Sequence, residues 1–162
     1  MIEAALVIGY GNALCGDDGA GPGVARLLSA VDGADVSACG QLTPELADDL
    51  RDRAVVVFVD AAATIEPGAV AVRPLAASGP SEPGLTHHFS PEALLLLAER
   101  LYGARPRAFL VTVGAASFAL GEDLSPRVAA ALPEAAAVVR RLLAAPDEVR
   151  CGPCPEADRR RR

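Results

Sequence analysis

The chain has 162 residues, 51% of them hydrophobic, and a formal net charge of -6. That length and apolar share suit one domain with a substantial core, and the acidic balance excludes the basic face of a nucleic-acid binder. Four cysteines are too few for a disulfide scaffold. No run of about 18 uncharged apolar residues marks a membrane span, and no basic segment with a cleavage site opens the chain. The expectation is a cytoplasmic protein with neither membrane nor nucleic acid as partner, and a monomer when free.

Ala4 to Ile8 is a short apolar run without a polar face, which suits a strand buried on both sides. Gly9 and Gly11 then allow a tight turn, and Asn12 can bond its own main chain. Asp17 and Asp18 close this glycine-rich loop before a helix whose apolar positions are Val24, Leu27, Leu28 and Val31. Ala34–Cys39 is a modest strand. Thr43-Pro44-Glu45 reads as a helix start with Thr as the cap, and the helix should run to about Asp52. Ala54–Val59 is the strongest strand, without a polar interruption until Asp60, and belongs at the centre of a sheet.

Glu66-Pro67-Gly68 is a turn, and Ala69–Pro74 reads as another strand. The connection from Asp60 is too short for a crossover helix, so this strand is expected to be antiparallel or at an edge. Residues 76–87 form a Pro/Gly/Ser loop that ends at His88. Ser90 and Pro91 open a leucine-rich helix that continues to about Tyr102. Arg107–Gly114 is the last strand, and Ser125-Pro126 opens the last helix, which Pro133 bends or divides. This order predicts an α/β fold: a three-layer α/β/α sandwich with a mostly parallel five-stranded sheet and one antiparallel strand. Residues 1–145 read as one domain and 146–162 as a flexible tail.

Three potential ligands fall at equivalent places in that topology. Asp18 follows the first strand, Asp60 ends the central strand, and His88 precedes the helix leading into the last one. Ligands bind along the carboxyl edge of such a sheet. Two carboxylates and an imidazole suit nickel, zinc or another divalent cation. Each residue also has a plainer role available. Asp18 can cap a turn or helix, Asp60 can bond loop amides, and His87 can be a neighbour of His88 or an alternative ligand.

Other motifs fit less well. Gly9-Tyr10-Gly11 follows a strand, but Leu14 stands where a dinucleotide fingerprint needs its third glycine, and two Asp would repel a pyrophosphate. The loop lacks the Lys and Ser/Thr of a P-loop, and no nucleophile elbow surrounds Ser117 or Ser125. Cys15 and Cys39 lie near the same edge. Cys151-Gly-Pro-Cys154 follows a helix and precedes a charged tail, which is not the setting of a redox turn.

Together these residues resemble the nickel–iron hydrogenase maturation endopeptidases. Gly9–Gly21 resembles the family's opening signature: Gly-x-Gly-Asn, a short apolar step, then an acidic pair and glycine. The strand ending in Asp60, Thr86-His87-His88 before a leucine-rich helix, and Phe118–Pro126 resemble its later elements. The resemblance implies that Asp18, Asp60 and His88 bind nickel and form the catalytic site. It also implies that the substrate is a nickel-loaded hydrogenase large-subunit precursor, which loses a carboxyl-terminal extension. Nickel would then arrive with the substrate, and zinc or another divalent cation could substitute. Asp18 stands where many members carry Glu, and Cys39–Pro44 departs from a common Gly-Thr-x-Gly. A nonproteolytic nickel chaperone or sensor would use the same three ligands, and a structural domain would use none.

Overall fold

The computed structural model describes residues 4–31, 33–79, 89–121 and 123–148. Among them are five strands: β1 (Ala5–Tyr10), β2 (Ala34–Cys39), β3 (Val55–Ala62), β4 (Val70–Leu75) and β5 (Arg107–Gly114). The helices are α1 (Ala20–Leu27), α2 (Leu46–Asp49), α3 (Pro91–Tyr102) and α4 (Pro126–Ala144), with a single 3-10 turn at Gly16–Gly19 before α1. The sheet order is β2-β1-β3-β5-β4. β2, β1, β3 and β5 run parallel, and β4 lies antiparallel to β5 at the edge. The expected α/β class, the parallel majority and the one antiparallel strand are all present.

Side-chain alternation along the strands divides the core in two. Val7, Val57, Val59, Val111 and Val113 face one side, where they pack with Val24 and Leu28 and with Val128, Ala135 and Val139 of α4. Leu6, Ile8, Val56, Phe58 and Leu110 face the other, against Ala47, Leu94, Leu95 and Ala98 of α2 and α3. Residues Val55 to Val59 are buried throughout, as a central strand covered on both faces requires. Each such side chain contributes roughly 1.5–3 kcal/mol of burial.

The link from β3 to β4 crosses the carboxyl end of β5. Gly68 N donates to the Gly114 carbonyl at 3.0 Å, and Gly114 N donates to the Ala69 carbonyl at 2.8 Å. β4 thereby lands beyond β5 without a helix. Pro74 sits in this edge strand, where its missing N–H does no harm.

Several local expectations shift. α2 is one turn, not a helix from Thr43 to Asp52, and no side chain caps it. Leu46, Ala47 and Asp48 donate to carbonyls three residues back, so the segment winds tightly. Asp48 and Asp49 then crowd its carboxyl end against the helix dipole, and Asp52 reverses the chain with φ 61. The helix expected from Val24 through Val31 stops at Leu27, and Leu27 is exposed while Leu28 is buried. β3 runs past Asp60 to Ala62 because Asp60, Ala61 and Ala62 still pair with Thr112–Gly114. Pro133 does not divide α4: the helix is continuous. Pro133 and Ala129, whose carbonyl loses its partner to the ring, both lie on the exposed side.

As expected, Ser90 caps α3, its Oγ accepting from Ala93 N at 3.1 Å. Ser125 precedes α4 but does not cap it. Among the described residues no helix is long and apolar enough to cross a membrane.

The start of α1 lies directly against the ends of β1 and β3. A Cβ on Gly21 would meet the Tyr10 carbonyl oxygen and come within 2.5 Å of the Val59 carbonyl oxygen. Both are backbone atoms that cannot give way. Gly21→Ala should therefore destabilise the protein by about 3 kcal/mol, whereas Gly40→Ala, with nothing within 4 Å of its Cβ, should stay within about 0.5 kcal/mol. Urea denaturation of the two variants measures the difference.

Candidate functional site

The strand order reverses at β1. The chain leaves β1 by α1 on one face to reach β2, then passes by α2 on the other face to reach β3 on β1's far side. The two crossovers diverge and leave a crevice at the carboxyl ends of β1 and β3, the switch point where open sheets bind ligands. A cavity of about 620 Å³ occupies it, lined by Tyr10, Asn12, Asp18, Gln41, Asp60 and Phe89 among others.

The loop after β1 is shaped by backbone bonds. Gly11, at φ 143, donates to the Cys39 carbonyl at 3.0 Å. A side chain there would strike the Asp18 carbonyl. Asn12 Oδ1 accepts from Leu14 N at 2.9 Å, an Asx turn. Asn12 N donates to Asp18 Oδ2 at 2.7 Å, which turns that half-buried carboxylate toward the cavity.

Asp17 does the opposite job. It is the one buried polar or charged residue among those described. Its Oδ2 accepts from Ala116 N at 2.8 Å, Ser117 N at 3.0 Å and Ser125 Oγ at 2.7 Å, and its Oδ1 from Ser125 N at 2.6 Å. Burial pushes its pKa up, but the bonds from Ser125, Ala116 and Ser117 outweigh that and hold the carboxyl below its ordinary value. This clamp joins the β1–α1 loop to the β5–α4 loop. Ser125 is consumed by it, which explains why Ser125 does not cap α4.

Asp60 is half-buried at the cavity wall. In the β1/β3 register, Gly9 stands opposite Val59, so Tyr10 and Asp60 come next, side by side. Asp60 Oδ1 accepts from Ala61 N at 2.7 Å, and the Tyr10 hydroxyl donates to the carboxylate. Burial raises the Asp60 pKa to about 6, and the Asp18 charge adds to the rise against these two hydrogen bonds. Burial is also the largest cause that raises Tyr10, with the Asp60 charge next.

Asp18 and Asp60 are thus brought together at one cavity, and each also takes the amide bond of its plainer role. His87 and His88, with Thr86, lie outside the described residues; Phe89 lines the cavity. Among the described residues no three His, Cys, Asp or Glu gather closely enough to hold a metal ion. Cys15 and Cys39 are free, half-buried thiols, and burial raises the pKa of Cys39. Cys151 and Cys154 lie outside the described residues. Three contributors were not anticipated from the sequence: Asp17 as a clamp, Tyr10 and Gln41. For Tyr10 a signal existed, since it occupies the open position of Gly-x-Gly-Asn at a strand end.

A doubly wound α/β protein with an acidic cavity at its switch point is the class that fold and site define. No protein-family model matches the chain, and no curated protein matches it. Solved structures do. The [NiFe] hydrogenase maturation protease HycI from Thermococcus kodakarensis KOD1 superposes with a TM-score of 0.71 at 21% identity, over 88% of this chain and 93% of that one. The hydrogenase maturating endopeptidase HybD from E. coli gives 0.69 at 24% identity, over 88% and 93%. These two establish the fold. The hydrogenase 2 maturation peptidase from Thaumarchaeota archaeon SCGC_AB-539-E09 is 31% identical over 86% of this chain and 97% of that one, with a TM-score of 0.64. The chain belongs to the hydrogenase maturation protease family, as its motifs suggested.

Two outcomes follow for stability. Asp17→Ala removes the acceptor from the Ala116 and Ser125 amides and should cost about 3 kcal/mol or more. The Asp17 pKa is depressed in the fold, so wild type keeps this contribution above the ordinary carboxyl range and loses it as pH falls through the folded value. A urea titration at neutral pH checks the loss. Asp60 has the opposite sign: its raised pKa makes wild type less stable as pH rises from about 4 through 6. Asp60→Asn should therefore melt higher than wild type at pH 7.5, by about 1–2 kcal/mol after allowance for solvent screening, and the gain should vanish near pH 4. Calorimetric scans at both pH values read it.

Proposed function

We propose that the chain is an endopeptidase that removes the carboxyl-terminal extension of a nickel-loaded hydrogenase large-subunit precursor, using Asp18, Asp60 and His88. The observation that carries this reading is the convergence of Asp18 and Asp60 on one switch-point cavity in this family's fold. Their mutual repulsion, which helps raise the Asp60 pKa, is what a cation would relieve. A carboxylate pair with an imidazole is a borderline donor set that fits nickel or zinc. The nickel belongs to the precursor, so it enters as part of the substrate.

The chain's own residues bind and orient. The Asn12 amide and the Ala61 amide each hold one carboxylate by one oxygen, leaving acceptor capacity directed at the cavity. Leu42 and Phe89 give that cavity apolar walls, which limit water around the carboxylates and strengthen their pull on a cation. Anchoring the precursor's nickel there brings the adjacent peptide bond to the site, so placement replaces a deep side-chain pocket. Precursor without nickel lacks the anchor.

The test is incubation of the purified protein with matched nickel-loaded and nickel-free precursors, read by mass spectrometry. The loaded form alone should lose a short carboxyl-terminal peptide, and Asp18→Ala or Asp60→Ala should slow that loss about a hundredfold or more. Binding without a mass change would assign the chain to nickel handling instead, and equal cleavage of both precursors would refute nickel gating. Processing lost in His87→Ala but kept in His88→Ala would move the ligand one residue. Nickel binding measured by calorimetry should strengthen as pH rises through about 6, because Asp60 must lose its proton first.

A further inference from the structure

The large apolar side chains left exposed among the described residues are not scattered evenly. Leu27 stands alone at the end of α1, and Leu101 and Tyr102 lie at the far end of α3, where Arg51 stacks on the Tyr102 ring at 5.2 Å. Leu14, Phe118 and Leu120, exposed by 69%, 43% and 78%, come from two different loops that abut. Gly121 N donates to the Leu14 carbonyl at 2.7 Å, and the Asp17 clamp holds the same two loops together at Ala116, Ser117 and Ser125. Ala13 and Ala119 beside them are exposed as well, so the side chains at these two loop tips are apolar, with the exposed Asp123 at their margin. Isolated exposed leucines need no explanation, but a contiguous apolar patch marks an interaction site.

Its location indicates the occupant. Leu14 stands two residues from Asn12 and four from Asp18, both of which line the cavity. The patch therefore shares the β1–α1 loop that supplies Asn12 and Asp18 to the cavity and lies where that loop meets the β5–α4 loop. A peptide tail that reaches Asp18 and Asp60 brings its folded protein body against that rim. We propose that Leu14, Phe118 and Leu120 form the docking surface for the body of the precursor, meeting an apolar surface beside the root of its carboxyl-terminal tail. This rests on the processing function proposed above and adds the element that selects the partner. The clamp makes the patch preformed, so docking loses little entropy in ordering it.

The experiment compares wild type with Leu14→Asp, Leu120→Asp and Leu101→Asp, using the full-length nickel-loaded precursor. Precursor affinity is measured by biolayer interferometry and cleavage by mass spectrometry. The two patch variants should bind precursor about tenfold more weakly or worse and raise KM in step, with kcat at saturating precursor unchanged. Leu101→Asp should match wild type. Thermal melting and nickel calorimetry should be unchanged in all three, which separates lost docking from lost fold or site. Patch variants that bind with wild-type affinity would overturn the proposal. So would a wild-type dimer that Leu14→Asp abolishes while precursor affinity stays the same, since the patch would then belong to a second copy. If wild type binds precursor without cutting it, the processing function falls, while weaker binding by the patch variants still upholds the docking surface.

Discussion

The carboxylate of Asp17, buried and bonded to three amides and a hydroxyl, is the constraint on which the working edge of this protein depends. A buried charge is costly unless fully hydrogen-bonded, and here it is. The same four bonds connect segments about a hundred residues apart in the chain. They bind the loop after β1 to the loop after β5, whose strands are separated in the sheet by β3. Beside that tie, the glycine-rich loop has only single backbone bonds to other segments, such as Gly11 N to the Cys39 carbonyl and Gly121 N to the Leu14 carbonyl.

Two neighbouring aspartates thereby acquire opposite characters. Asp17 points inward, with its charged form stabilised. Asp18 points toward the cavity, half-buried, held by one amide. Asp60 faces it across the switch point, and its pKa of about 6 reflects burial that its hydrogen bonds do not offset. Stability and site chemistry pull against each other at Asp60, a pattern expected where a group must be ready for a ligand.

Close backbone packing supports the same edge. Gly21 lets α1 begin against the carbonyls of Tyr10 and Val59, and Gly11 lets the chain pass Asp18. The apolar surface of Leu14, Phe118 and Leu120 is built on the two loops joined by the clamp, so cavity and patch share one rigid support. Under the proposed processing function, that geometry ties recognition of the precursor's body to placement of its tail.

Much of the architecture could be read from the amino-acid sequence by itself. The uninterrupted run Val55–Val59 identified the central strand, because only a strand covered on both faces lacks a polar side. The short β3–β4 link predicted the antiparallel strand, and Ser90-Pro91 predicted the start of α3. Asp18 and Asp60 were visible as partners, because both follow strands of a parallel sheet and such strands end at one edge. Tertiary structure alone decided what periodicity does not encode. It shortened α2 to a turn where Asp48 and Asp49 oppose the helix dipole, and it carried α4 past Pro133 because the freed carbonyl lies on the exposed side. It also separated the roles of Asp17 and Asp18, which look equivalent as letters. The partners of Asp17 are at Ala116, Ser117 and Ser125, and only folding brings those amides to it.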